Sequence, residues 1–267
     1  MQVYQLGSGT PKVAVVGGIH GDEPCGPRGI DRVLADDPDV DRPVKFVVAN
    51  EAAAEQDTRY VDEDLNRAYP GDPDADTHEG RLAAALRQEL EGCTTLSLHS
   101  TQSYAEPFAI TETVDEIAQS VVPRLPVEYL VESAAFSQGR FIEQAHTVEA
   151  ECGLQKSEEA AENAYWLIRA FLAATNVMPE PTTEDRIHSR GTHEVSVFRL
   201  REEIGKPPAE SYEILAHNFQ RVGAGEPFAV ADGEEFLADE EFYPVLMSAH
   251  GYSEVFGYAA DHIGTLP

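Results

Sequence analysis

KVAVVGGIHGDEP, residues 12–24, runs from a short apolar stretch into two glycines, then His20, and three positions later Glu23. A run of β-branched and small apolar residues bounded by glycine predicts a short buried strand over 12–17. The stretch from Pro24 to Leu34 predicts a helix, with Pro at its start. Ligands of open α/β sheets sit just beyond the carboxyl ends of strands. His20 and Glu23 fall at such an end, and two side chains three apart can reach one cation from a single turn. Two imidazoles and a carboxylate with one open position form a known catalytic zinc arrangement. On spacing alone, a loop histidine beside a surface glutamate is the commoner reading. Two glycines directly after a buried strand weigh against it.

Outward from this stretch, strand-like and helix-like segments alternate. Strands are predicted over 44–50, 94–99, 108–111, 127–131 and 146–151. Helices are predicted over 79–90, 114–122 and 158–172, the last packing Ala160, Trp166, Leu167, Ala170 and Phe171. The alternation predicts an α/β fold, a mixed or parallel sheet with helices on both faces. Residues 179–190 are rich in Pro, Thr and charge and read as a linker. Short strand-like pieces follow at 193–199, 213–216, 227–230 and 243–247. The expected division is a catalytic domain over 1–180 and a small β-rich domain over 191–267. No internal repeat or low-complexity tract stands out.

The chain has 267 residues, with 19 Lys and Arg against 48 Asp and Glu, a formal charge of −29. A surface this acidic repels phosphate backbones, so nucleic acid is not an expected partner. The acids are interleaved with apolar residues, which argues against disorder. Lysine occurs at only four positions, Lys12, Lys45, Lys156 and Lys206. Acid-rich, lysine-poor chains suit a salt-rich cytoplasm, where screening tolerates self-repulsion; the charge reads as a halophilic habitat signal. No apolar run approaches the length of a membrane span, and the N-terminal residues lack the pattern of a secretory signal, so a cytoplasmic location without membrane attachment is expected. Cys25, Cys93 and Cys152 are widely spaced and include no CxxC pair, which argues against disulfides and a thiolate metal site.

Three further segments carry chemistry. His99 closes the strand TTLSLH; if that strand lies beside 12–17, His99 faces His20 and Glu23 across the sheet edge. RYVDEDLNRAYPG, residues 59–71, concentrates Arg59, Asp64, Asn66 and Arg67. Arginine clamps carboxylates in bidentate fashion, and a very acidic protein needs such a local cationic spot to take an anionic ligand. Glu151 in VEAECGLQ ends a strand before Gly153, where a carboxylate can exchange protons with a metal-activated water; its neighbour Glu149 is not excluded from that role. The remaining histidines, Cys25, Trp166 and the acidic pairs after residue 233 read as ordinary surface or packing residues.

GGIHGDEP, DLNRAYPG, SLHST and ECGLQ occur in this order and at separations that resemble the succinylglutamate desuccinylase/aspartoacylase family, a branch of the zinc carboxypeptidase clan. The tail, EILAHNFQRVGAGEPFAVADG and FYPVLMSAHGYSEVF, is similar to that family's C-terminal β domain. The resemblance implies a three-layer α/β/α fold with a mixed central sheet and one Zn2+ per chain, held by His20, Glu23 and His99. It implies Glu151 as the catalytic glutamate and Arg59 as the arginine that polarises the scissile carbonyl. Asn66 and Arg67 correspond to the pair gripping the substrate carboxylate, and Asp64 to the carboxylate orienting the first zinc histidine. Tyr252 corresponds to a tyrosine lent by the C-terminal domain. Arg140, with a one-residue offset, corresponds to a second carboxylate-binding arginine. The implied function is hydrolysis of the amide bond of a small N-acylated amino acid by Glu-assisted attack of zinc-bound water. A second arginine would favour acidic side chains; without it, other N-acyl amino acids or N-acetylated diamino acids come into range. A peptide-trimming metallocarboxypeptidase is the alternative enzyme, and a non-catalytic zinc-binding module the alternative of another class. Tyr252 and the appended β domain argue against the first, and the presence of Glu151 and Arg59 against the second. A homo-oligomer is left open.

Overall fold

The computed structural model describes residues 1–179 and 194–267. Apart from Pro179, the predicted linker lies outside the described residues.

The chain order is β1 (Gln2–Leu6), β2 (Val13–Gly17), α1 (Cys25–Asp36), β3 (Val44–Val48), α2 (Glu51–Glu55), α3 (His78–Glu89), β4 (Thr94–Thr101), β5 (Phe108–Thr111), α4 (Glu116–Val121), β6 (Tyr129–Glu132), β7 (Thr147–Leu154) and α5 (Glu158–Ala174). The C-terminal part adds β8 (Val195–Gly205), β9 (Tyr212–Ile214), β10 (Pro227–Ala231), β11 (Glu234–Leu237), β12 (Tyr243–Val245) and β13 (Val255–Leu266). Ten strands form one sheet in the order β1-β3-β2-β4-β7-β5-β6-β8-β13-β12. The sheet is mixed: β3, β2, β4 and β7 run parallel, while β1, β5 and β13 enter antiparallel to a neighbour.

β2 explains the layering. All five of its residues are buried, because both faces of the sheet are covered. Val13 and Val15 pack with α1 and α5 through Ile30, Val33, Leu167 and Ile168. Ala14 and Val16 face the other way, toward Leu82, Leu86 and Leu90 at α3. Helix starts are capped from the sequence: Thr77 accepts from the Gly80 amide and Ser157 from the Ala160 amide.

The C-terminal strands divide between two sheets. β8, β13 and β12 continue the large sheet beyond β6, and β9, β10 and β11 form a separate antiparallel sheet. β13 gave no strand signal in the sequence, because Gly257 and Gly264 interrupt it. The pairing with β8 carries register shifts beside both glycines. β1 was equally silent, being a short edge strand whose residues are mostly exposed. Among the described residues, no helix is long and apolar enough to cross a membrane.

The turn after β2 is tightly seated. A Cβ on Gly21 would lie 2.2 Å from the carbonyl carbon of Ala53 in α2. A methyl group there must push backbone against backbone. Gly21→Ala is therefore expected to lower stability by about 1–3 kcal/mol, read as a fall in the midpoint of chemical unfolding. An unchanged midpoint would contradict this packing.

Candidate active site

Parallel pairing sets three strand ends side by side. Gly17 of β2 lies opposite Leu98 of β4, and His99 lies opposite Glu151 of β7. Beyond β2 the chain turns through Gly18, at φ +69°, a conformation that favours glycine. It then delivers His20 and Glu23 to the same edge.

His20, Glu23 and His99 are all buried there. His20 Nδ1 lies 2.8 Å from Glu23 Oε1, and His99 Nδ1 lies 3.1 Å from Glu23 Oε2. The Ser100 amide donates to Glu23 Oε2 at 3.2 Å. The outer nitrogens are also occupied: His20 Nε2 meets Asp64 Oδ1 at 3.0 Å, and His99 Nε2 meets Ser97 Oγ at 3.2 Å. Both rings are thus oriented with Nδ1 toward the carboxylate, the arrangement of oriented metal ligands. One atom from each of the three residues falls within 4.8 Å of the others.

The electrostatics suit a cation. Burial alone would lower both histidines, yet the Glu23 carboxylate overrides it. His20 is raised and His99 is raised to about 10. Burial alone would raise Glu23, and the two imidazoles hold it well below the usual range. The cluster therefore draws positive charge into a buried place, as protons or as a divalent ion. Its two nitrogens and one carboxylate are a donor set that suits zinc.

The 59–67 loop supplies the cationic side. Arg59 donates from Nε to Asp64 Oδ2 at 3.1 Å and from Nη1 to Glu23 Oε1 at 3.3 Å. Asp64 also accepts from the Asn66 amide at 2.9 Å. Burial would raise Asp64, but His20 and then Arg59 and Arg67 hold it well below the usual carboxylate range. Asn66 Oδ1 accepts from the Phe141 amide at 2.8 Å, which leaves its amide nitrogen to donate into the pocket. Burial, then the nearby Arg140 cation, lowers Arg67. Arg140 donates to the hydroxyl of Tyr258 at 3.2 Å.

One cavity of about 380 Å³ joins these groups. His20, Glu23, Arg59, Asp64, Asn66, Arg67, His99, Arg140, Glu151 and Tyr252 all line it, and so does Glu149. Every residue assigned a site role from the sequence is thus brought to one place. Glu151 Oε2 is buried without a hydrogen-bond partner. Burial pushes Glu151 up to about 7; Glu23 and Glu149 add to the shift, and His99 and His20 oppose it.

A family model described as the succinylglutamate desuccinylase/aspartoacylase catalytic domain matches residues 9–164, more than half of the chain. The chain belongs to that family. Comparison with curated proteins gives no match. Among solved structures, the chain is similar to a succinylglutamate desuccinylase/aspartoacylase from Rhodobacter sphaeroides. The TM-score is 0.76 at 19% identity, covering 98% of this chain and 89% of that one. The ectoine utilization protein EutE (DoeB) from Ruegeria pomeroyi, solved with product bound, gives a TM-score of 0.76 at 19% identity, covering 99% and 88%. Murine aminoacylase 3 gives 0.71 at 23%, covering 97% and 99%. At these identities the likeness shows the fold.

Two residues that support the cavity lining from behind escaped the sequence reading. Glu79 in α3 is fully buried, and its carboxylate accepts from the amides of Val61, Asp62 and Glu63 at 2.7, 3.0 and 3.2 Å. It also accepts from Asn50 Nδ2 at 3.0 Å. Burial would raise Glu79, but these four donors hold it below its ordinary value. Glu79 thereby anchors the loop that carries Arg59 and Asp64. Among 48 acids nothing singled it out, and its place in the first turn after the Thr77 cap was the available signal. Tyr258, which holds Arg140, lay in the unrecognised β13.

Glu151 is raised in the folded chain above its ordinary 4.5, so its protonated form favours folding. That contribution is complete below about pH 4.5 and is lost as pH rises through about 7. Glu151→Gln keeps the neutral form at every pH. In chelator-treated protein, its stability advantage over the parent is expected to grow from near zero at pH 4.5 to about 1–3 kcal/mol above pH 7. Denaturant titrations across this range check it; a pH-independent difference would contradict it.

Proposed function

We propose that the chain hydrolyses the amide bond of a small N-acylated amino acid, as a zinc-dependent deacylase. The observation that carries this reading is the register of His99 opposite Glu151, which sets a carboxylate whose buried Oε2 has no hydrogen-bond partner beside the His20, Glu23 and His99 cluster. His20 and His99 through Nδ1 and Glu23 through its carboxylate would hold the ion. When bound, a divalent ion supplies Lewis acidity toward water and the substrate carbonyl.

The other roles belong to the chain's own groups. Glu151, with its proton affinity near neutrality, takes a proton from the attacking water and returns it to the leaving amine. Arg59 reaches the same place with a fixed fork of donors, and these stabilise charge developing on the carbonyl oxygen. Asn66 and Arg67 grip the amino-acid carboxylate, Asn66 aimed by Phe141. Asp64 keeps the His20 ring oriented. Residues 191–267 act as the C-terminal unit that lends Tyr252 to the pocket, and Tyr258 supports Arg140 from the same segment. A cavity of this size suits a small substrate better than a peptide. The formal charge of −29 supports an enzyme of salt-rich cytoplasm that draws its anionic substrate only at this local cationic spot.

The test is amine release from N-acetyl-aspartate, N-succinyl-glutamate and N-acetyl-leucine in molar KCl, with and without added zinc. Turnover is expected only with the ion, and Glu151→Gln is expected to abolish it. Arg59→Ala is expected to lower kcat by about 10²–10³-fold while leaving far-UV circular dichroism unchanged. Near-normal turnover by Arg59→Ala would contradict its assigned role.

A further inference from the structure

We propose that Lys206 is a positioning residue for the active cavity, its ammonium group tying down the loop that carries Tyr252. The proposal rests on the deacylase reading above and adds a residue to the same site.

Lys206 directly follows β8, beside the start of its neighbour β13, where Gly205 lies opposite Val255. Its amide donates to the Glu254 carbonyl at 2.8 Å, one step beyond that register. The side chain reaches the loop between β12 and β13. Lys206 Nζ donates to the Ala249 carbonyl at 2.7 Å and to the Tyr252 carbonyl at 2.5 Å. Among the described residues, no backbone amide donates to either carbonyl.

The ammonium is held from its other side by two rings. It lies 5.2 Å from the centre of the Tyr212 ring and 5.7 Å from that of Phe256, close enough for the ring faces to attract a cation. Tyr212 is itself tied. Its hydroxyl donates to the Pro207 carbonyl at 2.6 Å and accepts from the Ala209 amide at 3.0 Å. Phe256 is fully buried. Among the described residues, no carboxylate forms an ion pair with Lys206, whereas Lys45 meets Glu89 and Lys156 meets Asp57. In a chain with 48 acidic residues and four lysines, the charge of this lysine is committed to one loop.

That loop is a wall of the cavity: Ser248, Gly251, Tyr252 and Ser253 line it. Its base is closed by Ser248, whose amide donates to the Phe256 carbonyl at 2.7 Å and whose Oγ accepts from the His250 and Gly251 amides at 3.2 and 3.0 Å. Lys206 spans the remainder, from Ala249 to Tyr252. The Tyr252 hydroxyl stands among the groups assigned to the reaction. Burial, then the neighbouring Tyr258 and Glu151, raise it, and Arg59 and Arg140 oppose the shift. It therefore stays a neutral donor at working pH. Pinning the Tyr252 carbonyl sets where that donor stands, and a displacement of about 1 Å in such a group costs up to about 10²-fold in rate.

The experiment is a double-mutant cycle on the zinc-loaded protein, with the substrate of the panel above that it turns over fastest. Lys206→Met keeps the length of the side chain and removes its donors. It is expected to lower kcat/KM by about 10–10²-fold, with zinc content and far-UV circular dichroism unchanged. Tyr252→Phe alone is expected to show a similar loss. In the Tyr252→Phe background, Lys206→Met is expected to change kcat/KM by less than about 3-fold, because the group it positions is gone. Lys206→Arg, which again offers donors to both carbonyls, is expected to recover most of the activity. A further measurement needs no variant: reductive methylation of the parent is expected to modify the exposed Lys12 well before Lys206. An unchanged kcat/KM in Lys206→Met, an equal loss in both backgrounds, or equal reactivity of Lys12 and Lys206 overturns this proposal and leaves the deacylase reading standing. Amine release from none of the panel by the zinc-loaded parent overturns both.

Discussion

The Glu23 carboxylate, held between two imidazole Nδ1 atoms at the end of a buried parallel sheet, is the constraint around which the site is arranged. A carboxylate this deeply buried is stable only with positive charge beside it. The two histidines can meet it only because β2 and β4 are parallel neighbours, with Gly17 at the end of β2 opposite Leu98, directly before His99. Parallel neighbours need crossover connections, and these place α1 and α3 on opposite faces of the sheet. The three-layer fold and the ligand cluster thus have a common cause. The outer hydrogen bonds to Asp64 and Ser97 then remove rotational freedom from both rings.

Around this centre the acids and bases are sorted by environment. Glu79 is satisfied by three backbone amides and Asn50, and it organises the arginine loop from behind. Asp64 is satisfied by His20 and Arg59. Glu151 and Glu149 are not satisfied, and both face the cavity. In a chain with 48 acidic residues, Asp22, Glu149 and Glu151 stand apart as cavity-lining carboxylates that each keep one buried oxygen without a donor. That distinction is physical and needs coordinates to draw.

This also explains what was legible beforehand. The run into GGIHGDEP was readable because a strand buried on both faces is continuously apolar and its glycines mark a close turn. His99 and Glu151 were readable because each closes a strand predicted from the sequence, although β4 and β7 in fact run on to Thr101 and Leu154. Both pairs of neighbouring strands were then needed to make them meet. Tyr258 was not readable: β13 carries two glycines and irregular register, so its periodicity fails where a strand in fact runs. Glu79 was hidden because burial of one glutamate in an amphipathic helix depends on the loop folded over it. The extension of the large sheet by β8, β13 and β12 depends on pairings distant in sequence, which local pattern does not reveal.

The central claim is that His20, Glu23 and His99 form the ion site. X-ray absorption at the zinc edge of the zinc-loaded protein tests it most directly. Two imidazole nitrogens with oxygen completing the shell, at about 2.0–2.2 Å, are predicted. Sulfur scattering at about 2.3 Å, or a shell without imidazole, would contradict it.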